Sequence, residues 1–281
     1  MLTRAFTCSG PYAVLIMLGL KRVENRGSLP APRTGRCAVG CAKSFRKEEY
    51  GRFVAWASQA LPEEDFDLIP SWTDVKDWPG KIVGACDYAC RGRHEGAAAW
   101  DEGLPYWWDL SEIACFDLPI PCRGNLGMWV MPRELADAVT RADALARSVG
   151  TKIETADDAR RVFAAALPLV GGAEGFFVLP LDDAGRTLSA PLLVSLGTEP
   201  GTTVIRPRDV FAEALKRDAN AVVVAHNHPS GDLTPSPADI AATAELDDLA
   251  RRLGVVFLDH LLLGAGEDGG FLSLAETLDR E

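Results

Sequence analysis

Along the second half of the chain, apolar runs of strand length alternate with segments of helical period. Gly175-Phe176-Phe177-Val178-Leu179-Pro180-Leu181 is continuously apolar and as long as a buried strand, and turn residues follow over 182–185. The pattern predicts a strand over 187–196, a helix after Pro207, and a short buried strand at Ala221-Val222-Val223-Val224-Ala225. It then predicts a helix from Asp239 to Leu253 and a strand over 255–263. Strands alternating with helices in this way argue a two- or three-layer α/β sheet. Upstream, Pro132-Arg133-Glu134-Leu135 opens a helical stretch that runs to Ser148 and is closed by Gly150, and a second helix over 157–170 ends at Gly171-Gly172.

The first half has a different rhythm. An apolar helix over 11–20 precedes short strand-like runs at 37–42, 81–89 and 114–118, separated by Pro, Trp, Gly and charged segments that include 100–108. Several short strands with one early helix predict a small mixed β-barrel. The expected organisation is a two-domain α+β and α/β chain: residues 1–131, a helical linker over 132–156, and residues 157–281. A length of 281 residues is enough for two cores.

Composition is ordinary for a globular protein, with 47% hydrophobic and 25% charged residues. The net charge of −11 changes the picture because it is unevenly placed. Residues 1–131 hold 15 basic and 16 acidic side chains, whereas 132–281 hold 14 and 24. Between Lys21 and Arg52 nine basic residues face three acids, a footprint suited to phosphate or equally to a solvated basic face. No run has the length of a membrane span. The apolar run Tyr12 to Leu20 is short and is followed by Lys21-Arg22-Val23-Glu24 rather than a small-residue cleavage site, so it reads as the first helix of a cytoplasmic protein. All seven cysteines lie in the first half. Their odd number argues against a disulfide framework, and Cys37-x3-Cys41 with Cys86-x3-Cys90 reads as small buried residues rather than a four-cysteine zinc site.

The candidate chemistry is concentrated in His226-Asn227-His228-Pro229-Ser230-Gly231, with Ser236 and Asp239 beyond it. Residues i and i+2 of a strand point to one side, so both imidazoles can face one point. Ser236-Pro237-Ala238-Asp239 looks like a helix start, with Ser as N-cap, Pro at the first position and an acid in the first turn. Two His and one carboxylate with an open fourth position form the ligand set of a catalytic zinc site. A metal-free reading also fits, because Ser236-x-x-Asp239 matches a capping box and a His-x-His pair occurs at polar strand ends. Asp259-His260, at the end of the next strand, reads as a structural pair.

From Glu174 to Leu274 the sequence resembles the JAMM/MPN+ metalloprotease-type domain in its bacterial RadC branch. The residues that carry the likeness are Pro207-Arg208-Asp209 with Ala214-Leu215, Ala225-His226-Asn227-His228-Pro229-Ser230-Gly231, Pro235-Ser236-Pro237-Ala238-Asp239-Ile240 with Thr243, Leu258-Asp259-His260 and Leu272-Ser273-Leu274. The resemblance implies a cytidine-deaminase-like α/β sheet domain, zinc held by His226, His228 and Asp239, and an oxyanion stabilised by Ser236. It also implies an upstream Glu beside the metal-activated water. Glu174 is the counterpart taken here, with Glu213 in reserve. RadC proteins usually place a helix-hairpin-helix DNA-binding segment before this domain, and this sequence has none there.

Residues 1–131 are similar instead to ASCH domains. Gly19-Leu20-Lys21-Arg22-Val23-Glu24-Asn25-Arg26 fits the G-x-K-x-x-E-x-R signature, and Gly80-Lys81-Ile82-Val83-Gly84, Pro119-Ile120-Pro121-Cys122-Arg123-Gly124 and Gly127-Met128-Trp129 match as well. The likeness implies a PUA-like barrel whose cleft, lined by Lys21, Glu24 and Arg26, takes RNA or a modified nucleotide. Lys21 and Glu24, three residues apart, also fit a simple ion pair. Together the resemblances imply a cytoplasmic zinc hydrolase that cleaves a peptide or isopeptide bond of a protein or peptide substrate, joined to an RNA- or nucleotide-binding module, with no membrane partner. Two rivals are an ASCH-centred nucleoside amidohydrolase or ribonuclease with the JAMM half as scaffold, and a metal-dependent nucleic-acid-processing protein. The acidic second half speaks against the last of these.

Overall fold

A computed structural model describes residues 1–26, 30, 32–93, 106–125, 127–197, 205–265 and 269–278. Of the segment 100–108, residues 100–105 lie outside the described residues. The chain divides into two compact units, Met1–Asp143 and Ala144–Glu281.

The first unit contains β1 (Arg4–Cys8), α1 (Gly10–Met17), β2 (Val23–Arg26), β3 (Thr34–Cys41), α2 (Lys47–Ala60), α3 (Glu63–Phe66), α4 (Trp72–Val75), β4 (Lys81–Arg93), β5 (Tyr106–Pro121) and β6 (Met128–Val130), with α5 (Arg133–Arg147) leading out of it. Its strands form one mixed sheet in the order β2-β5-β4-β3-β1-β6, parallel between β1 and β3 and antiparallel elsewhere. Register shifts at three places between β4 and β5 mark bulges, which bend a long strand pair. Helix α1 is apolar on every side, as a core helix must be, and buries Ala13 through Met17 against the sheet and α2. It ends three residues before the predicted boundary, where the chain turns at Leu18-Gly19. Arg36 on β3 places Nε and Nη2 on the two carboxylate oxygens of buried Asp143 (2.7 and 2.5 Å) and Nη1 on Asp87 (2.9 Å). Burial opposes its charge, but these hydrogen bonds outweigh burial and hold the guanidinium firmly ionised.

The second unit contains α6 (Ala156–Ala164), a 3-10 turn (Leu167–Val170), β7 (Gly175–Leu181), β8 (Leu192–Leu196), α7 (Pro207–Leu215), β9 (Ala221–Asn227), α8 (Pro237–Leu253), β10 (Val256–Leu263), β11 (Phe271–Ser273) and α9 (Leu274–Leu278). Its sheet order is β11-β10-β9-β7-β8, parallel only between β9 and β10. Every residue of β7 and β9 is buried, because both faces of the sheet are covered. Phe177, Leu179, Leu181, Val223 and Ala225 pack against α6 and the 3-10 turn. Phe176, Val178, Val222 and Val224 take the opposite face against α7 and α8. Each fully buried Val, Leu or Phe contributes about 1.5–3 kcal/mol of burial free energy, which ties the strands rigidly to both helical layers.

In the first unit the expected short strands and one early helix are corrected, since β4 and β5 run for 13 and 16 residues and α2 is a second helix of 14 residues. In the second unit two predicted elements are corrected. The single helix over 157–170 is α6 followed by a separate 3-10 turn, since Pro168 has no N–H to continue an α-helix. The strand over 187–196 pairs only from Leu192; Thr187 makes one isolated bridge, and Pro191 cannot donate to a ladder.

Helix α8 carries Asp239 and stops at Gly254, whose φ of 73° is left-handed. A side chain at that position strains the backbone, so Gly254→Ala is expected to destabilise the protein by about 1–2 kcal/mol in urea unfolding. Stability equal to the wild type would show that the cap is not held in this conformation.

Candidate metal centre

Strand parity builds the site. On β9 the residues facing α8 are Val222, Val224 and then His226, and His228 follows two residues later, just past the strand. Asn227, between them, points to the other face. Ser236 is the N-cap of α8, and a full capping box fixes Asp239 in the first turn. Ser236 N and Oγ both donate to Asp239 Oδ2, at 2.8 and 2.7 Å, while Ser236 Oγ accepts from Asp239 N at 3.1 Å. One carboxylate oxygen is therefore engaged by the cap, and the other, Oδ1, lies 3.2 Å from His226 Nε2. The two readings of Ser236-x-x-Asp239 are thus compatible: the box that starts the helix also aims the acid.

His226 Nε2 and His228 Nε2 are 2.9 Å apart. The ligand atoms of His226, His228 and Asp239 all lie within 4.8 Å of one another, and among the described residues this is the one such His/Cys/Asp/Glu group of three or more. Burial pushes the Asp239 carboxyl upward, but the neighbouring His226 ring and the hydrogen bonds from Ser236 outweigh it and hold the carboxyl well below the usual carboxylate range. A carboxylate whose ionised form is favoured, beside two imidazoles, is a donor set suited to a divalent borderline metal.

The next layer of contacts fixes these ligands. His226 is buried, stacked on Phe176 with 18° between the rings, and its Nδ1 is 2.8 Å from His260 Nε2. His260 Nδ1 is 2.7 Å from Thr243 Oγ1, which is 2.7 Å from Asp239 O. Burial, with help from neighbouring His226, pushes the His260 imidazole down to about 3, so the ring is neutral at neutral pH. The turn at Gly231, with φ 79°, brings the backbone carbonyl of Asp232 to His228 Nδ1. His260 thus touches a ligand rather than the convergence point. Its neighbour Asp259 is structural, accepting from His260 N, Ser273 Oγ and Ala275 N to tie β10 to the following strand and helix.

Glu174 sits immediately before β7, two residues from Phe176, the ladder partner of His226. Its peptide is bracketed by one side chain: buried Asn227 accepts from Gly175 N at 2.8 Å and donates to Ala173 O at 2.9 Å. Sequence reasoning missed Asn227 and the part played by Thr243. The available signal was the strand parity that sends Asn227 inward, opposite the two histidines. Glu213, by contrast, is engaged on the α7 surface by Lys216 and Arg217, at 2.6 and 2.8 Å.

In the first unit Lys21, Glu24 and Arg26 come together, Lys21 on the loop after α1 and the other two on β2. Lys21 is fully buried; its Nζ donates to Val23 O, lies 3.5 Å from Glu24 and sits 4.8 Å from the Tyr12 ring centroid. Arg26 pairs with Glu24 at 2.8 Å, donates to Thr7 O at 3.1 Å and lies over Phe6 and Trp108. Arg26 Nε, Thr7 Oγ1 and Trp108 Nε1 are buried with no hydrogen-bond partner among the described residues. The cysteines are free thiols, with Cys37 opposite Cys86 and Cys8 beside Cys41 across ladders.

Comparison with known proteins places the second unit. Residues 148–279 match the family model of the RadC-like JAB domain. Among curated relatives, a UPF0758 protein of Cyanothece sp. is 43% identical over 104 residues, 37% of this chain and 41% of the relative. A UPF0758 protein of Finegoldia magna is 40% identical over 94 residues, covering 34% and 41%. One from Geobacillus kaustophilus is 49% identical over 74 residues, covering 26% and 31%. The chain spans about two fifths of the length of the first two of these relatives. With the His226, His228 and Asp239 cluster inside the matched segment, the second unit is a RadC-like JAB domain.

Proposed function

We propose that the second unit is a zinc-dependent hydrolase that cleaves a peptide or isopeptide bond. The observation that supports this best is the convergence of two imidazole Nε2 atoms and one ionised carboxylate oxygen beside a helix start. A zinc ion held by His226, His228 and Asp239 would supply Lewis acidity and a water of lowered pKa. Glu174, on the loop bracketed by Asn227, takes the proton of the attacking water and hands it to the leaving amine. Ser236 holds Asp239 Oδ2 through both its backbone N–H and its hydroxyl; because the N–H alone keeps that oxygen engaged, the hydroxyl would rotate off Asp239 to donate to the developing oxyanion. The test is cleavage of isopeptide-linked and linear peptides by the full chain. The expected result is turnover that a chelator stops and zinc restores; turnover unaffected by chelation would contradict the proposal.

The first unit serves, in this reading, as an ASCH-like, PUA-like module that holds RNA or a modified nucleotide. Support comes from the buried Lys21, Glu24 and Arg26 cluster with its unmatched polar atoms at Thr7, Arg26 and Trp108. A Cβ added at Gly124 would come within 2.7 Å of Thr7 Oγ1, so a glycine there lets the backbone approach that buried hydroxyl closely. Cations hold phosphate and aromatic rings stack on bases. Calorimetric titration of the full chain with short RNA and with nucleotides is expected to show binding that Lys21→Met abolishes and Asp239→Asn leaves unchanged. The same pair of variants separates the rival reading, an amidohydrolase or ribonuclease centred on the first unit. There, Lys21→Met would remove turnover and Asp239→Asn would not. Among the described residues no helix is long and apolar enough to cross a membrane.

A further inference from the structure

We propose that Thr243 and His260 are positioning residues, forming a one-way hydrogen-bond circuit through which the backbone carbonyl of Asp239 fixes the tautomer of His226. The proposal rests on the metal-hydrolase reading of the same site. Its logic starts from an atom that has no proton to give. Asp239 O is a carbonyl, so the 2.7 Å contact with Thr243 Oγ1 requires the single hydroxyl proton of Thr243. At its other contact, 2.7 Å from His260 Nδ1, the same hydroxyl must accept, so Nδ1 carries the ring proton. A His226 that offers its Nε2 lone pair to a metal keeps its ring proton on Nδ1, which donates to His260 Nε2 at 2.8 Å and closes the circuit. Its Nε2 lies 2.9 Å from His228 Nε2 and 3.2 Å from Asp239 Oδ1, the other two candidate ligands.

The reverse order fails on the same distances. If Thr243 donated to His260, two oxygens would stand 2.7 Å apart with no proton between them. His228 arrives at the same state by a shorter route, since its Nδ1 faces the carbonyl of Asp232 and must donate to it. Two carbonyl oxygens, in different loops and helices, thus turn two imidazole lone pairs toward one carboxylate. Electron pairs converging in this way repel unless a cation sits between them. The circuit also begins and ends on ligand residues, His226 and Asp239, so it couples the orientation of one to the backbone of the other. Outer hydrogen bonds of this type orient metal-bound imidazoles and raise their basicity.

The chain has four histidines, which makes a direct test practical. Full-length protein labelled with 15N-histidine would be examined by long-range 1H–15N spectra, metal-free and zinc-loaded, and zinc affinity measured by chelator competition. The expected spectrum has His260 protonated at Nδ1 in both states and His226 protonated at Nδ1 with zinc present. Thr243→Val keeps the shape but removes the hydroxyl, and is expected to weaken zinc binding about tenfold. Thr243→Ser restores the hydroxyl and is expected to bind within about twofold of wild type. A purely structural Thr243 would give the opposite ranking, since serine loses a packed methyl and valine does not. A His260 proton on Nε2, or wild-type zinc affinity in Thr243→Val, overturns the circuit. A wild type that shows the Nδ1 form of His260 and takes up no zinc supports the circuit and overturns the metal reading.

Discussion

Asp239→Asn is expected to abolish zinc retention and turnover while leaving the fold intact. Asparagine keeps an oxygen for Ser236 N and Oγ, so the capping box that starts α8 survives and stability stays within about 1 kcal/mol of wild type. What is lost is the charge that faces His226 Nε2 at 3.2 Å. In its place an amide N–H or a neutral oxygen meets two imidazoles, and the site no longer balances a divalent cation. The loss of affinity should exceed the roughly 10–100-fold that follows removal of an outer partner, because a direct ligand is removed. Urea unfolding checks the first half of the expectation and metal analysis the second. Zinc retained at wild-type level by Asp239→Asn would mean that the carboxylate serves only the helix cap.

Asn227→Ala should separate activity from metal content. The side chain matches two backbone groups on either side of Glu174, the N–H of Gly175 and the carbonyl of Ala173. Deleting it leaves both unmatched in a buried setting, at a cost of about 1–3 kcal/mol for each group not reached by water. The turn before β7 then keeps only its backbone hydrogen bonds from Ala173 N and to Glu174 O, and Glu174 is held less firmly, whereas His226 and His228 stay fixed by β9 and by the Asp232 carbonyl. The expected outcome is a protein less stable by about 2–4 kcal/mol, with near-normal zinc and turnover lowered at least tenfold. Asn227→Asp retains the acceptor for Gly175 and should fall between. Normal turnover in a folded, zinc-loaded Asn227→Ala protein would remove Glu174 from the chemistry.

Local rules made the ligand cluster readable. Alternation along a strand put His226 and His228 on one side, and the preference for Ser, Pro and an acid at a helix start placed Asp239 in the first turn of α8. The strands of the second unit were readable for a similar reason, since β7 and β9 are uninterrupted apolar runs that both faces of the sheet demand. Residues whose meaning depends on distant partners were not. Asn227 is bonded to atoms 52 and 54 positions upstream, and His260 meets His226 and Thr243 across 34 and 17 positions. Nothing in the immediate neighbourhood of Asp259-His260 distinguishes the first, which anchors β10, from the second, which touches a candidate ligand. Proline accounts for the misplaced boundaries in the second unit: Pro168 and Pro191 each remove a backbone donor where periodicity alone continues the element. In the first unit the spacing of Lys21 and Glu24 suggested a helical pair, but the pair forms where a loop enters β2.

The most direct measurement is the metal content of freshly purified protein by mass spectrometry, for wild type and for His226→Ala and Asp239→Ala. About one zinc per chain, lost in both variants, is the result expected from a site built from two imidazoles and one carboxylate. A wild type that carries no metal and takes none up on titration would contradict the account, and would turn attention to Lys21 and the first unit.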